Sequence, residues 1–116
     1  MNENFLISIV VITYNKLDYL KSVLTNLRFH VRLKNVEIIV VNDGSTDDTR
    51  SFLKNNKEKL NFEYVNIEHS GSAKARNTGI NLSKGDYILF IDNDIIIDAS
   101  YIEKLRESIL LYPDRI

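Results

Sequence analysis

The chain has 116 residues and a formal net charge of −1, and 44% of its residues are hydrophobic while 27% are charged. This length allows one domain with a single modest core, and this composition is ordinary for a globular protein. The near-neutral charge removes any electrostatic case for nucleic acid or anionic lipid as a partner, and the absence of cysteine excludes a disulfide framework and a thiolate metal site.

The N-terminal end of the chain predicts neither a secretion signal nor a membrane span. Residues 1–4 contain no basic side chain, and the apolar stretch that follows is only about eight residues long. A chain without cysteine fits a reducing compartment. We therefore expect a cytoplasmic protein, and peripheral attachment to a membrane is compatible with the full-length form.

Short apolar runs alternate with amphipathic segments, and this pattern predicts alternating strands and helices. The predicted strands are residues 5–13, 36–41, 62–67 and 86–91, and the predicted helices are residues 17–27, 46–58, 72–82 and 99–111. The first two strands are almost continuously apolar, which is typical of strands buried on both faces. The third alternates between apolar and polar residues and is expected nearer a sheet edge.

Local signals predict where the helices begin and end. Asn15 is a candidate N-cap for the first helix, and Ser45-Thr46-Asp47-Asp48 has the pattern of a capping box for the second. Gly85 lies in the expected C′ region of the third helix. The small residues between 71 and 79 would allow that third helix to press closely against the sheet.

Four successive strand–helix units predict an α/β domain with a parallel sheet, right-handed crossovers and helices on both faces. Ligands of such sheets bind at the carboxyl ends of the strands, where the strand order reverses. Polar residues follow three of the predicted strands at this end. They are Thr13, Tyr14 and Asn15, then Asn42 and Asp43, then Asp92 and Asp94.

The segment Asp92-Asn93-Asp94 directly follows a buried apolar strand and is the most informative feature of the chain. Two carboxylates one residue apart can share one hard cation, which keeps some waters and takes further oxygens from a substrate phosphate. The alternative is a turn capped by aspartates after the strand. The expected position at the cleft favours the metal interpretation.

Other residues near the predicted cleft have two possible roles each. Tyr14 could stack on a flat base or simply pack over the helix start. Asp43 could accept a hydrogen bond from a ring N–H or form an Asx-turn, while Gly44 would let the backbone approach a ligand. Arg76 could bind a phosphate or pair with Asp43. His69 is interpreted as a solvated loop histidine with no metal role.

Several other nucleotide and hydrolase sites are excluded by motif. Neither G-x-G-x-x-G nor G-x-x-x-x-G-K-[ST] occurs, so the dinucleotide-binding and P-loop interpretations fail. The two histidines, His30 and His69, are too few and too poorly placed for a zinc hydrolase, and neither accompanies a G-x-S-x-G turn.

Four segments resemble, in order and spacing, the family 2 glycosyltransferases of GT-A fold. They are IVVITYN at residues 9–15, VNDGSTD at 41–47, ARNTG at 75–79 and FIDND at 90–94. The resemblance implies inverting transfer of a sugar from a nucleotide-diphosphate donor, usually a UDP-sugar, with Mn²⁺ or Mg²⁺. It further implies a carbohydrate or lipid-linked acceptor for the full enzyme.

The resemblance also implies roles for individual residues. Thr13 and Tyr14 would line the base pocket, and Asp43 would form a hydrogen bond with the uracil ring. Lys16 and Arg76 would lie near the base or the diphosphate. Asp92 would approach the ribose or the metal, and Asp94 would ligate the metal. Many relatives carry a further acidic residue directly after this triplet. Here it is Ile95, so one carboxylate fewer is available to the cation.

Family catalytic domains are roughly twice as long as this chain, and their general base follows the Asp-x-Asp motif. We therefore expect residues 1–116 to be the donor-binding part of a longer enzyme, with the general base beyond Ile116. Such a chain would bind a UDP-sugar weakly and would not transfer it. An exposed sheet edge and the run Ile95-Ile96-Ile97 would favour self-association.

Two other classes of protein compete with this interpretation. The first is a non-catalytic nucleotide-sugar-binding or regulatory module of the same fold. The second is a signalling receiver domain, which should have a phosphate-accepting aspartate after its third strand and a lysine after its fifth. Here the third predicted strand is followed by Glu68, and no fifth strand is predicted, so the receiver interpretation is disfavoured.

Overall fold

The computed structural model describes residues 5–30, 35–92 and 104–109. Seven elements alternate along the chain between strand and helix. They are β1 (Ile7–Thr13), α1 (Leu17–His30), β2 (Val36–Asp43), α2 (Thr49–Leu60), β3 (Glu63–Ile67), α3 (Ser72–Leu82) and β4 (Tyr87–Asp92). Residues 104–109 are also helical. No helix within these ranges is both long enough and apolar enough to span a bilayer.

The four strands form one parallel sheet in the order β3-β2-β1-β4. The chain moves outward from β1 to β2 and β3, and then returns to place β4 on the other side of β1. The order of the strands therefore reverses between β1 and β4, and ligands of open α/β sheets bind at such a reversal. The parallel α/β architecture and the edge position of β3 are both confirmed.

Helices cover both faces of the sheet because the strands are apolar on both faces. On one face, alternate residues of β1 (Ile7, Ile9 and Val11) pack in a core with residues of α1, α2 and the helical segment 104–109. On the other face, Val10 packs with residues of β2 and with Ala75 of α3. β1 lies at the centre and has no exposed apolar side chain.

Helix α3 approaches the sheet closely, as its small residues predict. Ala75 and Gly79 are buried, and a Cβ atom added at Gly79 would lie only 2.5 Å from Cγ1 of Val10. Any larger side chain at position 79 would push the helix away from β1. The observed bounds of α3, Ser72–Leu82, are those expected from the sequence.

One predicted helix start and one predicted helix cap are wrong. α2 begins at Thr49, not near Thr46, and its N-cap residue Asp48 makes no side-chain capping hydrogen bond, so there is no capping box. Gly85 does not end α3, because the C-cap is Ser83. The N–H of Gly85 instead donates to Oγ of Ser8 at 2.9 Å, and a Cβ atom at Gly85 would lie 2.4 Å from that oxygen.

Some sequence predictions concern residues outside the described ranges. Asp94 and the run Ile95-Ile96-Ile97 lie outside them, as do most residues of the predicted helix 99–111 and the C-terminal residue Ile116. The helical conformation of residues 104–109 agrees with the part of that helix that is described.

Candidate functional site

Three loops meet at the carboxyl edge of the sheet, and hydrogen bonds from side chain to backbone hold them together. These are the β1–α1 loop (residues 14–16), the β2–α2 loop (residues 44–48) and the β3–α3 loop (residues 68–71). In a parallel sheet the loops after neighbouring strands lie side by side, so side chains from distant parts of the sequence can meet there.

Asn15 joins the first of these loops to the second. Its Oδ1 accepts hydrogen bonds from the backbone N–H of Thr46 at 2.7 Å and of Asp47 at 3.3 Å, while its own N–H donates to Oγ of Ser45 at 3.0 Å. Asn15 has a φ of 52°, a left-handed conformation that asparagine tolerates better than most residues. It is therefore not the N-cap of α1 but a link between loops.

Asn42 joins β2 to β3 beside this link. Its amide nitrogen donates to Oδ1 of Asn66, its partner across the two strands, at 2.9 Å. Its side-chain oxygen Oδ1 accepts a hydrogen bond from the backbone N–H of Ser45 at 3.2 Å, and this bond forms the turn after β2. The Asx-type turn proposed as an alternative role for Asp43 is thus made by its neighbour Asn42.

Asp47 completes the turn that precedes α2. Partial desolvation favours its protonated form, but hydrogen bonds from the Thr49 hydroxyl and from the N–H groups of Thr49, Leu17 and Asp47 outweigh that effect and lower the pKa of Asp47 below its ordinary 3.8.

Asp43 holds the β3–α3 loop. The side chain is only 5% exposed, and its two carboxylate oxygens accept the N–H groups of Ser70 at 2.9 Å and Gly71 at 3.2 Å. Nδ1 of His69 lies 3.2 Å from Oδ2 of the same carboxylate. The observed partners of Asp43 are these loop groups rather than Arg76, so the structure gives no support to an Asp43–Arg76 pair.

His69 stacks on Tyr14 at the outer surface of the site. The two ring centroids are 4.1 Å apart and the planes are inclined by 25°. The Tyr14 side chain is exposed, as expected for an aromatic residue available to a ligand. The sequence interpretation missed His69, because its contact with Tyr14 depends on tertiary structure and leaves no local signal.

Gly44 allows the β3–α3 loop to approach the turn after β2. Its φ is +75°, and a Cβ atom added there would lie 2.5 Å from the backbone nitrogen of His69. The close neighbour of Gly44 is therefore this histidine backbone within the protein, where the sequence suggested a ligand.

The remaining predicted donor-site residues lie around this cluster. Thr13 is buried at the end of β1, in register with Asn42. The Lys16 ammonium lies 5.4 Å from the centroid of the Tyr19 ring on α1. The Arg76 guanidinium lies on α3, 5.6 Å from the ring centroid of Phe90 on β4. Arg76 thus spans the strand-order reversal, and its predicted phosphate contact stays a prediction.

The predicted metal ligands follow β4. Asp92 ends this strand and is in register with Ile12 of β1, so its backbone lies at the same edge as Thr13 and Asp43. Its side chain and all of Asp94 lie outside what the structure describes. Carboxylate oxygens are ligands that Mg²⁺ and Mn²⁺ prefer, and the metal role of Asp92 and Asp94 stays a prediction.

This edge of the sheet can therefore contact an extended, flat and anionic ligand. The exposed rings of Tyr14 and His69 lie at the ends of β1 and β3, and the buried carboxylate of Asp43 lies between them at the end of β2. The guanidinium of Arg76 and the end of β4 lie on the other side of the strand-order reversal. An aromatic face suits a base, and a guanidinium suits a phosphate.

Comparison with known proteins finds sequence relatives of this chain. The sequence profile of Glycosyl transferase family 2 matches residues 8–115. The chain is 38% identical over 107 residues to Glycosyltransferase GlyA of Streptococcus pneumoniae, a match that covers 91% of this chain and 15% of that protein. It is 34% identical over 93 residues to poly-beta-1,6-N-acetyl-D-glucosamine synthase of Staphylococcus aureus, covering 79% of this chain and 22% of the synthase.

The fold also matches that of a solved structure. The crystal structure of S. aureus TarS 1–349 in complex with UDP-GlcNAc superimposes with a TM-score of 0.82 at 28% identity, covering 93% of this chain and 32% of TarS 1–349. The expected GT-A fold is thereby confirmed for this part. The chain spans less than a third of the length of each of the two sequence relatives.

Proposed function

This chain belongs to glycosyl transferase family 2, and we propose that it forms the donor-binding part of an enzyme that transfers a sugar from a nucleotide-diphosphate donor to an acceptor. The observation that carries the proposal is the location of Tyr14, Asp43 and the end of β4 on one edge of the sheet. The resemblance of the motifs to the family assigns the same residues to the donor.

The donor would lie across the carboxyl edge of the sheet with its base at β1 and β2. Tyr14 offers an aromatic face, and Asp43 and Thr13 form the inner wall of this pocket. Arg76 and Lys16 would then neutralise the diphosphate, because both are cations near the edge. UDP is the proposed nucleotide, since TarS, which resembles this chain at 28% identity, was solved with UDP-GlcNAc.

Asp92 and Asp94 would hold a divalent cation, Mn²⁺ or Mg²⁺, beside the diphosphate. Such an ion stabilises the negative charge of the departing nucleotide diphosphate. The residues of this chain bind the base, bind the diphosphate and orient the sugar toward the acceptor. We propose direct displacement with inversion, in which the acceptor oxygen bonds to the anomeric carbon as the bond to the diphosphate breaks and a general base takes the acceptor proton.

Calorimetric titration with UDP, GDP and dTDP, each with and without Mn²⁺, tests the proposal. The wild-type chain should bind UDP best, and Mn²⁺ should increase the affinity. Asp94→Ala should abolish the increase from Mn²⁺ while leaving metal-free binding unchanged. Glu58→Ala, an exposed residue of α2, is the matched control and should behave as the wild type.

Two results would contradict parts of the proposal. Failure of the wild-type chain to bind any of the three nucleotides would refute the donor site. An unchanged increase from Mn²⁺ in the Asp94→Ala variant would refute the role of Asp94 at the metal.

A further inference from the structure

The environment of Nδ1 in His69 determines which ring nitrogen carries the proton. Nδ1 lies 3.1 Å from the backbone carbonyl oxygen of Asp43 and 3.2 Å from Oδ2 of the same residue. Both neighbours are acceptors only, so a lone pair on Nδ1 would be repelled by both of them. The neutral imidazole must therefore carry its hydrogen on Nδ1, and its lone pair lies on Nε2.

Nε2 is the ring nitrogen that is left available at the site. The His69 side chain is 55% exposed, and Nε2 has no hydrogen-bond partner among the residues that the structure describes. Tyr14 covers one face of the imidazole, so a ligand meets the edge of the ring or its other face. The neutral side chain thus presents one outward acceptor beside the aromatic surface proposed for the base.

We propose that His69 reads the nucleobase of the donor by accepting a ring N–H at Nε2, with Asp43 as the positioning residue that fixes the tautomer. This inference rests on the proposed donor site and adds a specificity determinant to it. The carboxylate of Asp43 is buried and already accepts the N–H groups of Ser70 and Gly71. His69 therefore offers a more accessible acceptor than Asp43 does.

The chemistry of this acceptor selects between bases. Uracil and guanine present a ring N–H at their pairing edge, whereas the corresponding ring nitrogen of cytosine carries a lone pair. Neutral His69 should therefore bind UDP in preference to CDP. UDP and CDP share the same ribose and diphosphate and differ only at the pairing edge of the base, which makes them a matched pair of probes.

Protonation of His69 would reverse this selection, because both nitrogens of the imidazolium are donors. The groups that face the ring are the Asp43 carboxylate from the end of β2 and the Tyr14 phenol from the β1–α1 loop, and Glu68 lies next to it on its own loop.

The test is the ratio of the Kd for CDP to the Kd for UDP, measured with the complete 116-residue chain in excess Mn²⁺. In the wild type the Kd for CDP should be about tenfold higher than the Kd for UDP, because Nε2 accepts the ring N–H of uracil but faces a lone pair of cytosine. In His69→Phe, which keeps an aromatic ring over Tyr14, the two Kd values should lie within about twofold of each other. Ionisation of the diphosphate cancels in the ratio.

Equal ratios in the wild type and His69→Phe would overturn the role of His69 while leaving the donor site intact. Failure of the wild type to bind either nucleotide would overturn the proposed function, and this inference with it. Nitrogen NMR of the wild-type imidazole gives a test that needs no variant. The ligand-free protein should have its proton on Nδ1 at about pH 8, and saturating UDP should shift Nε2. A proton on Nε2, or a resonance unaffected by UDP, would refute the proposal.

Discussion

Single side chains, rather than packed elements, fix the relative positions of the loops that carry the site. Asn15 joins the β1–α1 loop to the β2–α2 loop, Asn42 joins β2 to β3, and Asp43 holds the β3–α3 loop. Each of these side chains forms a hydrogen bond with a residue on a different strand or loop. The apolar core orients the strands, but these three polar residues determine where Tyr14 and His69 can lie.

Two substitutions at Asn15 separate the contribution of its side-chain hydrogen bonds to stability from the contribution of its backbone conformation. Asn15→Gly keeps the left-handed conformation and removes the hydrogen bonds to Thr46 and Asp47, so the free energy of unfolding should fall by about 1 kcal/mol. Asn15→Ala should lose about 1–2 kcal/mol more, because alanine is strained at a φ of 52°. Urea denaturation gives both values.

Asn61 provides a control at nearly the same backbone angle. It has a φ of 55° at the C-cap of α2, and its side chain makes no hydrogen bond within the described residues. Asn61→Gly should therefore change the free energy of unfolding by only a few tenths of a kcal/mol. If Asn15→Gly is as mild as Asn61→Gly, the side-chain link does not contribute to stability.

The lowered pKa of Asp47 predicts a dependence of stability on pH. A carboxyl group with a lower pKa in the folded chain contributes stability above its unfolded value of 3.8, and loses that contribution as the pH falls through the folded pKa. The difference in unfolding free energy between wild type and Asp47→Asn should thus narrow below about pH 4. Urea midpoints between about pH 7 and pH 2.5 test this.

The neighbouring residue Asp48 is a matched control, because it makes no side-chain capping bond at α2. Asp48→Asn removes a carboxylate from the same turn without removing a capping hydrogen bond, so it controls for the loss of one charge. A constant difference between wild type and Asp47→Asn across the whole pH range would show that the ionised carboxylate of Asp47 contributes nothing.

At the scale of elements, the close approach of α3 to β1 sets the position of Arg76 over the sheet. Gly79→Ala would place a Cβ atom 2.5 Å from Cγ1 of Val10. The overpacking should cost about 1–3 kcal/mol, offset by about 1 kcal/mol from the better helix propensity of alanine. The prediction is a net loss of unfolding free energy.

A substitution at Val10 tests whether the loss of stability in Gly79→Ala comes from this contact. Val10→Ala removes the atom that the new methyl group would meet, so Gly79→Ala should be milder in the Val10→Ala background than in the wild type. The double-mutant cycle should then have a coupling energy of about 1 kcal/mol. Additive effects of the two substitutions would contradict the proposed contact.

The elements themselves were largely predictable, and the reason is physical. The strands are continuous apolar runs, and α3 ends where its sequence indicates, because burial and helix spacing are local patterns. The start of α2 was not predictable, because Thr46 and Asp47 bond to Asn15 from another loop. The contribution of His69 depends on Tyr14 and Asp43, which are distant in sequence, so no local pattern could reveal it.

At the scale of the whole molecule, β4 leaves apolar surface uncovered. It pairs with β1 on one side, and among the described residues no strand pairs with its other side. Ile88 and Phe90, which share a face of β4, are 36% and 37% exposed. An open, apolar sheet edge is a site for edge-to-edge pairing.

We therefore expect the 116-residue chain to self-associate through β4. Sedimentation velocity should show the weight-average mass increasing with concentration, and Ile88→Lys should restore a monomer because a charge on this strand opposes pairing. Tyr19→Lys is the control, since Tyr19 is another exposed large hydrophobic side chain but lies on α1; this variant should associate as the wild type does. A wild-type chain that sediments as a monomer at the highest attainable concentration would refute association through β4, and a loss of association in Tyr19→Lys would place the contact on the helical face instead.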